Sequence, residues 1–321
     1  MEIVLSVLAG LVLFLFAVNN LSELIQKVMG ESAKKWLTKL TSNIISAILV
    51  GTVVTTILDS SSAVIIITII LVNSKVLTFR QAMGIVLGAN IGTTVSSQII
   101  AMDVTKYSPL LLVIGFGLLV ISKSDKISSL GKIILYFGVL FFGLFTMENA
   151  VEPLKNEPFF MDQLKKTENP IFGTFVGALV TLVIQYSSAT VGMAIILAKK
   201  GLLSLAGGIS VMLGAELGTC SDTLLATIKG NRQALKTGLF HLLLNFISII
   251  TGLIFFNQFY EFTKQVSQTA PIERAVANAH MMFNIGGVLL FVWFIPFFEM
   301  LLNKLLPEKR DHFLGENQLS Q

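Results

Sequence analysis

Residues 51–96 recur without a gap at 177–222, a shift of 126 positions. Gly51, Val54, Thr55, Ser61, Ser62, Ala63, Ile69, Ile70, Leu71, Leu77, Leu87, Gly88, Ala89, Gly92 and Thr93 all meet identical partners, 15 of 46 positions. An apolar chain produces Leu, Ile and Val coincidences by composition alone. It does not bring Ser-Ser-Ala and Gly-Ala-x-x-Gly-Thr into one register. The chain is therefore read as a duplication, and its fold must be built from two related halves. The same shift lays 3–19 on 129–145.

The solvent of those halves follows from composition. Of 321 residues, 54% are hydrophobic and 13% charged, where soluble domains carry about a quarter charged residues. This excludes an ordinary soluble domain and a disordered chain. The apolar runs are continuous, not alternating, which argues against a membrane β-barrel. The expected class is an all-α polytopic membrane protein. A crossing needs about 20 apolar residues, and the candidates are 2–20, 81–101, 107–122, 131–147, 204–228, 237–256 and 275–297. Segment 21–40 mixes Leu24, Ile25, Val28 and Trp36 with four lysines, a pattern that suits a helix lying in the interface.

Segments 42–73 and 170–198 are apolar but interrupted, by Asp59-Ser60-Ser61-Ser62 and by Gln185-Tyr186-Ser187-Ser188. Each arm spans roughly 18–25 Å as helix, short for a full crossing. A re-entrant hairpin with its polar turn near the membrane midplane fits better. Loop charges orient the chain. Lys27, Lys34, Lys35 and Lys39, then Lys75 and Arg80, then Lys123, Lys126 and Lys132, then Lys229, Arg232 and Lys236, and finally Lys304, Lys309 and Arg310 read as cytoplasmic. Loop 148–169, with five acids against three lysines, reads as external. Lys199 and Lys200 break the bias. No basic stretch precedes 3–19, so it reads as a retained span with its N-terminus outside. The two halves then run in opposite directions, as inverted repeats do in secondary transporters. The net charge of +4 sits between apolar segments and does not point to nucleic acid. The single cysteine, Cys220, permits no internal disulfide and reads as a small packing residue.

The chemistry concentrates at the breaks. Ser60, Ser61 and Ser62, and their partners Ser187 and Ser188, open the second arm of each hairpin. A first helical turn offers free N–H groups and about half a positive charge. Two such ends facing each other make an anion site without arginine, and serine hydroxyls add donors. Gly88-Ala89-Asn90-Ile91-Gly92-Thr93-Thr94 and its copy Gly214-Ala215-Glu216-Leu217-Gly218-Thr219-Cys220 suggest local unwinding. Freed carbonyls, Asn90 and the threonine hydroxyls would then suit Na+. The alternative is close helix packing through small residues. Glu216, a carboxylate at membrane depth, could bind a cation or carry a proton. Asp59 is repelled by a bound anion, by about 4 kcal/mol at 4 Å in an effective dielectric of 20. It binds a cation, is protonated, or points away. His241/Asn245 and His280/Asn284 share the spacing H-x-x-x-N, which places both side chains on one helix face, for the site or for interhelical hydrogen bonds.

These residues resemble the type II sodium–phosphate cotransporter family, whose two inverted repeats each carry a Q-S-S-S tip followed by G-x-N-I-G-T-T. The resemblance covers roughly 40–300. Gly-Ala-Asn-Ile-Gly-Thr-Thr at 88–94 is intact. Asp59 stands where glutamine is usual, Tyr186 replaces a serine, Glu216 an asparagine and Cys220 a threonine. The resemblance implies two inverted repeats over 1–126 and 127–256, each with a re-entrant hairpin and a broken transmembrane helix. An additional closing helix over 257–306 and a short cytoplasmic tail, 307–321, would follow, with no soluble regulatory domain after them. It implies Na+-driven symport of inorganic phosphate. Phosphate would be held by Ser60, Ser61, Ser62, Ser187 and Ser188, and sodium by Asp59, Asn90, Thr93, Thr94, Gln185, Glu216 and Thr219. No cofactor is expected beyond Na+ as coupling ion. The expected partners are phosphate, Na+ and membrane lipid, with a homodimer left open. Competing readings are a transporter of another oxyanion or a dicarboxylate, proton-coupled through Asp59 or Glu216; a passive channel; and an intramembrane serine hydrolase. The last needs a base beside a serine, and no pattern places His241 or His280 there.

Overall fold

The computed structural model describes residues 2–102, 105–122, 124–228 and 230–307. The tail beyond Pro307, Lys123 and Lys229 lie outside them. The regular structure of the described residues is entirely helical, with no strand among them. Helices α1 (Glu2–Lys39), α2 (Ile44–Leu58), α3 (Ser61–Asn73), α4 (Phe79–Ile100) and α5 (Ser108–Ile121) build the first half. Helices α6 (Asp125–Val151), α7 (Pro158–Lys165), α8 (Pro170–Ile184), α9 (Ser187–Lys199), α10 (Leu205–Gly218), α11 (Cys220–Leu225) and α12 (Arg232–Ile254) build the second. Then come α13 (Phe256–Val266), α14 (Ile272–Val292) and α15 (Ile295–Leu305). Among the described residues, five helical segments are long and apolar enough to cross a membrane, six if the bent 158–184 pair counts as one. Large apolar side chains such as Val4, Val12, Val113, Val120 and Val183 face outward. The chain is a multi-pass membrane protein.

The duplication reaches the backbone. The same 126-residue shift relates the caps: Asn43, Ser60 and Thr78 open α2, α3 and α4, and Asn169, Tyr186 and Ser204 open α8, α9 and α10. It also pairs every described residue of positive φ, Asp59 (50°) with Gln185 (58°) and Lys75 (60°) with Gly201 (68°). Each left-handed residue ends a helix where an αL turn satisfies the last carbonyls.

Glycines then bring α2 onto α4 and α8 onto α10. A Cβ on Gly88 would lie 2.0 Å from the Ile48 carbonyl oxygen, and one on Gly214 would lie 1.9 Å from that of Thr174. Ile48 and Thr174 are again 126 apart. Contact positions rise together along α2 and α4, from Gly84 on Ala47 to Gly92 on Thr55, so these helices run parallel. At the foot of the pair the Gln81 side chain donates to the Thr41 carbonyl at 2.9 Å. Since α4 starts level with α2, α3 must run back from the Asp59-Ser60 break. The chain folds as a helix–turn–helix there, and α8–α9 does the same.

Two expectations are corrected. Residues 21–40 are not a separate interface helix: α1 continues unbroken to Lys39, about 57 Å at 1.5 Å per residue. Its far end buries Ala33 and Leu37, and Ile25 and Trp36 pack on the same apolar cluster as α2, α3 and α4. The stretch 88–94 is not unwound: α4 passes through it, with Thr93 and Thr94 donating to the Ala89 and Ile91 carbonyls and the glycines serving close packing. Only the second copy breaks, at Thr219 between α10 and α11, where the Glu216 carbonyl accepts from Asn245 Nδ2 at 2.9 Å. Within 257–306 the described residues form three helices, of which α14 alone is long and apolar enough to cross a membrane.

Lys199 and Lys200 form ion pairs with Glu148 (2.9 and 3.3 Å), and Lys200 also reaches Glu152 (3.2 Å). The lysines that broke the charge bias are thus matched by acids of the 148–169 loop.

Candidate functional site

The two breaks meet. A cavity of about 190 Å³ is lined by Asp59, Ser60, Ser61, Ser62, Gln185, Tyr186, Ser187 and Ser188 from the tips, Thr93 from α4, Thr219 and Asp222 beside the α10 break, and Val18, Asn19 and Ser22 from α1. It has room for several waters or one small oxyanion. Helices α3 and α9 both start at this cavity, so two first turns with unpaired amides converge on it. Ser60 uses its hydroxyl to cap its own helix, accepting from Ala63 N–H at 3.2 Å. Tyr186, its counterpart, makes no such cap and reaches across, donating to the Asp59 carbonyl at 2.6 Å. No Lys, Arg or His lines the cavity.

Nine of the twelve sequence-selected residues line it: Asp59, Ser60, Ser61, Ser62, Thr93, Gln185, Ser187, Ser188 and Thr219. Asn90, Thr94 and Glu216 do not. Thr94 faces its own helix backbone. Asn90 donates to Asn245 Oδ1 at 2.6 Å. Glu216 Oε1 accepts from Asn284 Nδ2 at 3.2 Å and sits 2.6 Å from His280 Nε2. These residues belong to a buried polar layer behind the cavity. There His280 Nδ1 meets Ser97 Oγ at 2.7 Å, and His241 Nδ1 meets Thr223 Oγ1 at 2.9 Å. Ser97 and Thr223 are themselves a 126-residue pair, so each H-x-x-x-N helix locks onto an equivalent hydroxyl. The histidines hold helices together, and neither stands beside a tip serine. Asp59 is hydrogen-bonded by Ser96 and Tyr186.

Sequence reasoning did not single out Asp222, Asn19 or Ser22. For Asp222 a signal existed: it is the last position of the repeat alignment, an acid where the first copy has Ser96. Its carboxylate accepts from Thr223 N–H at 2.7 Å, and it shares the cavity wall with Ser62. The α1 residues give no signal, because only the tertiary fold brings that helix to the tips.

A family model described as Na+/Pi-cotransporter matches residues 13–149 and 159–289. The chain belongs to the Na+/Pi-cotransporter family. The family model splits the chain between α6 and α7. Among the relatives of this family member, "Uncharacterized protein YqeW" of Bacillus subtilis is 28% identical over 96% of this chain and 100% of its own length. "Putative inorganic phosphate export protein YjbB" of Salmonella typhimurium is 24% identical over 92% of this chain, which spans 54% of that protein. "Sodium-dependent phosphate transport protein 2B" of Homo sapiens is 34% identical over 97 residues, 30% of this chain and 14% of its own. No solved structure matches.

Proposed function

We propose that this chain is a secondary transporter that moves inorganic phosphate together with Na+ through the cavity between the two serine tips. One observation carries the reading: two hydroxyl-rich helix starts, duplicated in sequence, converge on a single cavity with no basic side chain and two carboxylates. Hydroxyls and helix-start amides suit phosphate oxygens. Asp59 and Asp222 repel an oxyanion unless cations stand between. A Na+ is a hard cation that takes the oxygens the cavity offers, so anion and cation binding become mutually dependent. That dependence is what symport requires. The relatives named for sodium-dependent phosphate transport and for phosphate export support the substrate.

In this reading the helix–turn–helix units are re-entrant hairpins, the first entering from the cytoplasm and the second from outside. The N-terminus is external, the tail cytoplasmic, and the halves are inverted repeats. The parallel pairs α2–α4 and α8–α10 and the Lys199/Lys200–Glu148/Glu152 pairs agree with that topology. Asn90, Thr94 and Glu216 then support the site from the polar layer.

Radiolabelled phosphate flux in proteoliposomes tests the reading. An inward Na+ gradient should drive uptake and a matched K+ gradient should not. Flux without Na+ that rises at low pH would transfer the coupling to protons. Outward phosphate movement that ignores the Na+ gradient would favour the export role for which the YjbB relatives are named.

A further inference from the structure

The two carboxylates of the cavity occupy different positions of the repeat, yet they are related. In the first repeat the pair of positions 59 and 96 reads Asp and Ser, and Ser96 donates to the Asp59 carboxylate. In the second repeat the same pair, 185 and 222, reads Gln and Asp. Each repeat thus places one carboxylate in the pair, on the tip in one copy and on the helix in the other.

The neighbours follow the same relation. Asp222 lines the cavity with Ser62, the third serine of the first tip, and with Gln185. Ser188, the counterpart of Ser62, lines a second, smaller cavity of about 90 Å³ with Ser96 and Asp59. One cluster is therefore Ser62, Asp222 and Gln185. The other is Ser188, Ser96 and Asp59. Each combines a tip serine of one repeat with the pair of the other, and each holds a single carboxylate.

We infer that Asp222 is a cation-holding residue of the transport cavity, equivalent to Asp59 with its carboxylate moved to the partner position of the pair. This rests on the transport reading above and adds a residue to it. A carboxylate, a serine hydroxyl and an amide or second hydroxyl are hard oxygen ligands suited to Na+. Two such clusters would hold two cations beside one oxyanion, which removes the repulsion from both acids.

The test is equilibrium binding of radiolabelled Na+ to the purified full chain in detergent, without phosphate. Asp222→Ser should raise the half-saturating Na+ concentration about tenfold or more. Adding Gln185→Asp, which moves the carboxylate to the tip as in the first repeat, should recover most of the loss. In the mirror experiment, Ser96→Asp should recover Asp59→Gln. Asp222→Glu, which keeps the charge, guards against a misfolded variant and should bind Na+. Unchanged Na+ binding in Asp222→Ser, in protein whose phosphate uptake is Na+-driven, would overturn the inference and leave the transport reading standing. A failure of Gln185→Asp to recover binding while Asp222→Glu binds would overturn the equivalence. Na+ binding that depends on Asp222 in protein that moves no phosphate would uphold the inference and remove the phosphate reading.

Discussion

The two halves share a backbone and differ in what their side chains find. Thr181 Oγ1 pairs with Thr190 Oγ1 at 2.7 Å in the second half. In the first, its counterpart Thr55 is buried without a hydrogen-bond partner among the described residues, because Val64 stands where Thr190 would be. Asn90 and Glu216 are equivalent positions on α4 and α10, but one meets an asparagine of α12 and the other a histidine and an asparagine of α14. The α4 copy is continuous and the α10 copy breaks. Caps, left-handed turns and glycine contacts keep their register in both halves, so the frame tolerates little change. The polar residues it presents have diverged where they meet helices of different surroundings.

The largest expected asymmetry lies in the polar layer. His280→Ala and His241→Ala both leave a cavity, but only the first strips a buried carboxylate of its main partner. His280→Ala should cost about 2 kcal/mol more in thermal unfolding of the detergent-solubilised protein. Equal losses would show that Glu216 does not depend on His280. Next, Ser61→Ala and its repeat partner Ser187→Ala should each weaken phosphate affinity by about 1.5–3 kcal/mol, since each removes a hydrogen bond to a charged ligand. Phosphate-dependence of uptake reads this, and an effect at one tip alone would break the equivalence of the tips. Gly88→Ala and Gly214→Ala should each destabilise by about 1–3 kcal/mol, as their Cβ atoms would meet backbone. Gly117→Ala and Gly286→Ala meet nothing within 4 Å and should leave the unfolding temperature in place. Smallest, Val64→Thr should stabilise by about 0.5–1 kcal/mol by giving Thr55 the partner that Thr181 already has.

Much of this was legible in the sequence because the duplication is written in residue identities. The shift of 126 locates both tips, and the polar breaks in 42–73 and 170–198 give the helix–turn–helix units. The glycines misled because one residue type serves two ends. A helix can unwind at Gly88 and Gly92 or pack through them, and only the facing backbone of α2 decides. The lysines of 21–40 misled because α1 is longer than the hydrocarbon core of about 30 Å, so its last turns carry charge while Ala33 and Leu37 are still buried. The helices after 256 carry no repeat signal. Asp222 could be seen only by asking what the first copy has at the same place.

The central claim is that both tips hold one ligand in one cavity. Ser61→Cys and Ser187→Cys, each made on a Cys220→Ser background, can be labelled with a small thiol-specific reagent with and without phosphate plus Na+. Phosphate with Na+ should slow labelling at both positions over the same concentration range, and phosphate with K+ should slow neither. Protection at one tip only, or at two different phosphate concentrations, would contradict a single shared site.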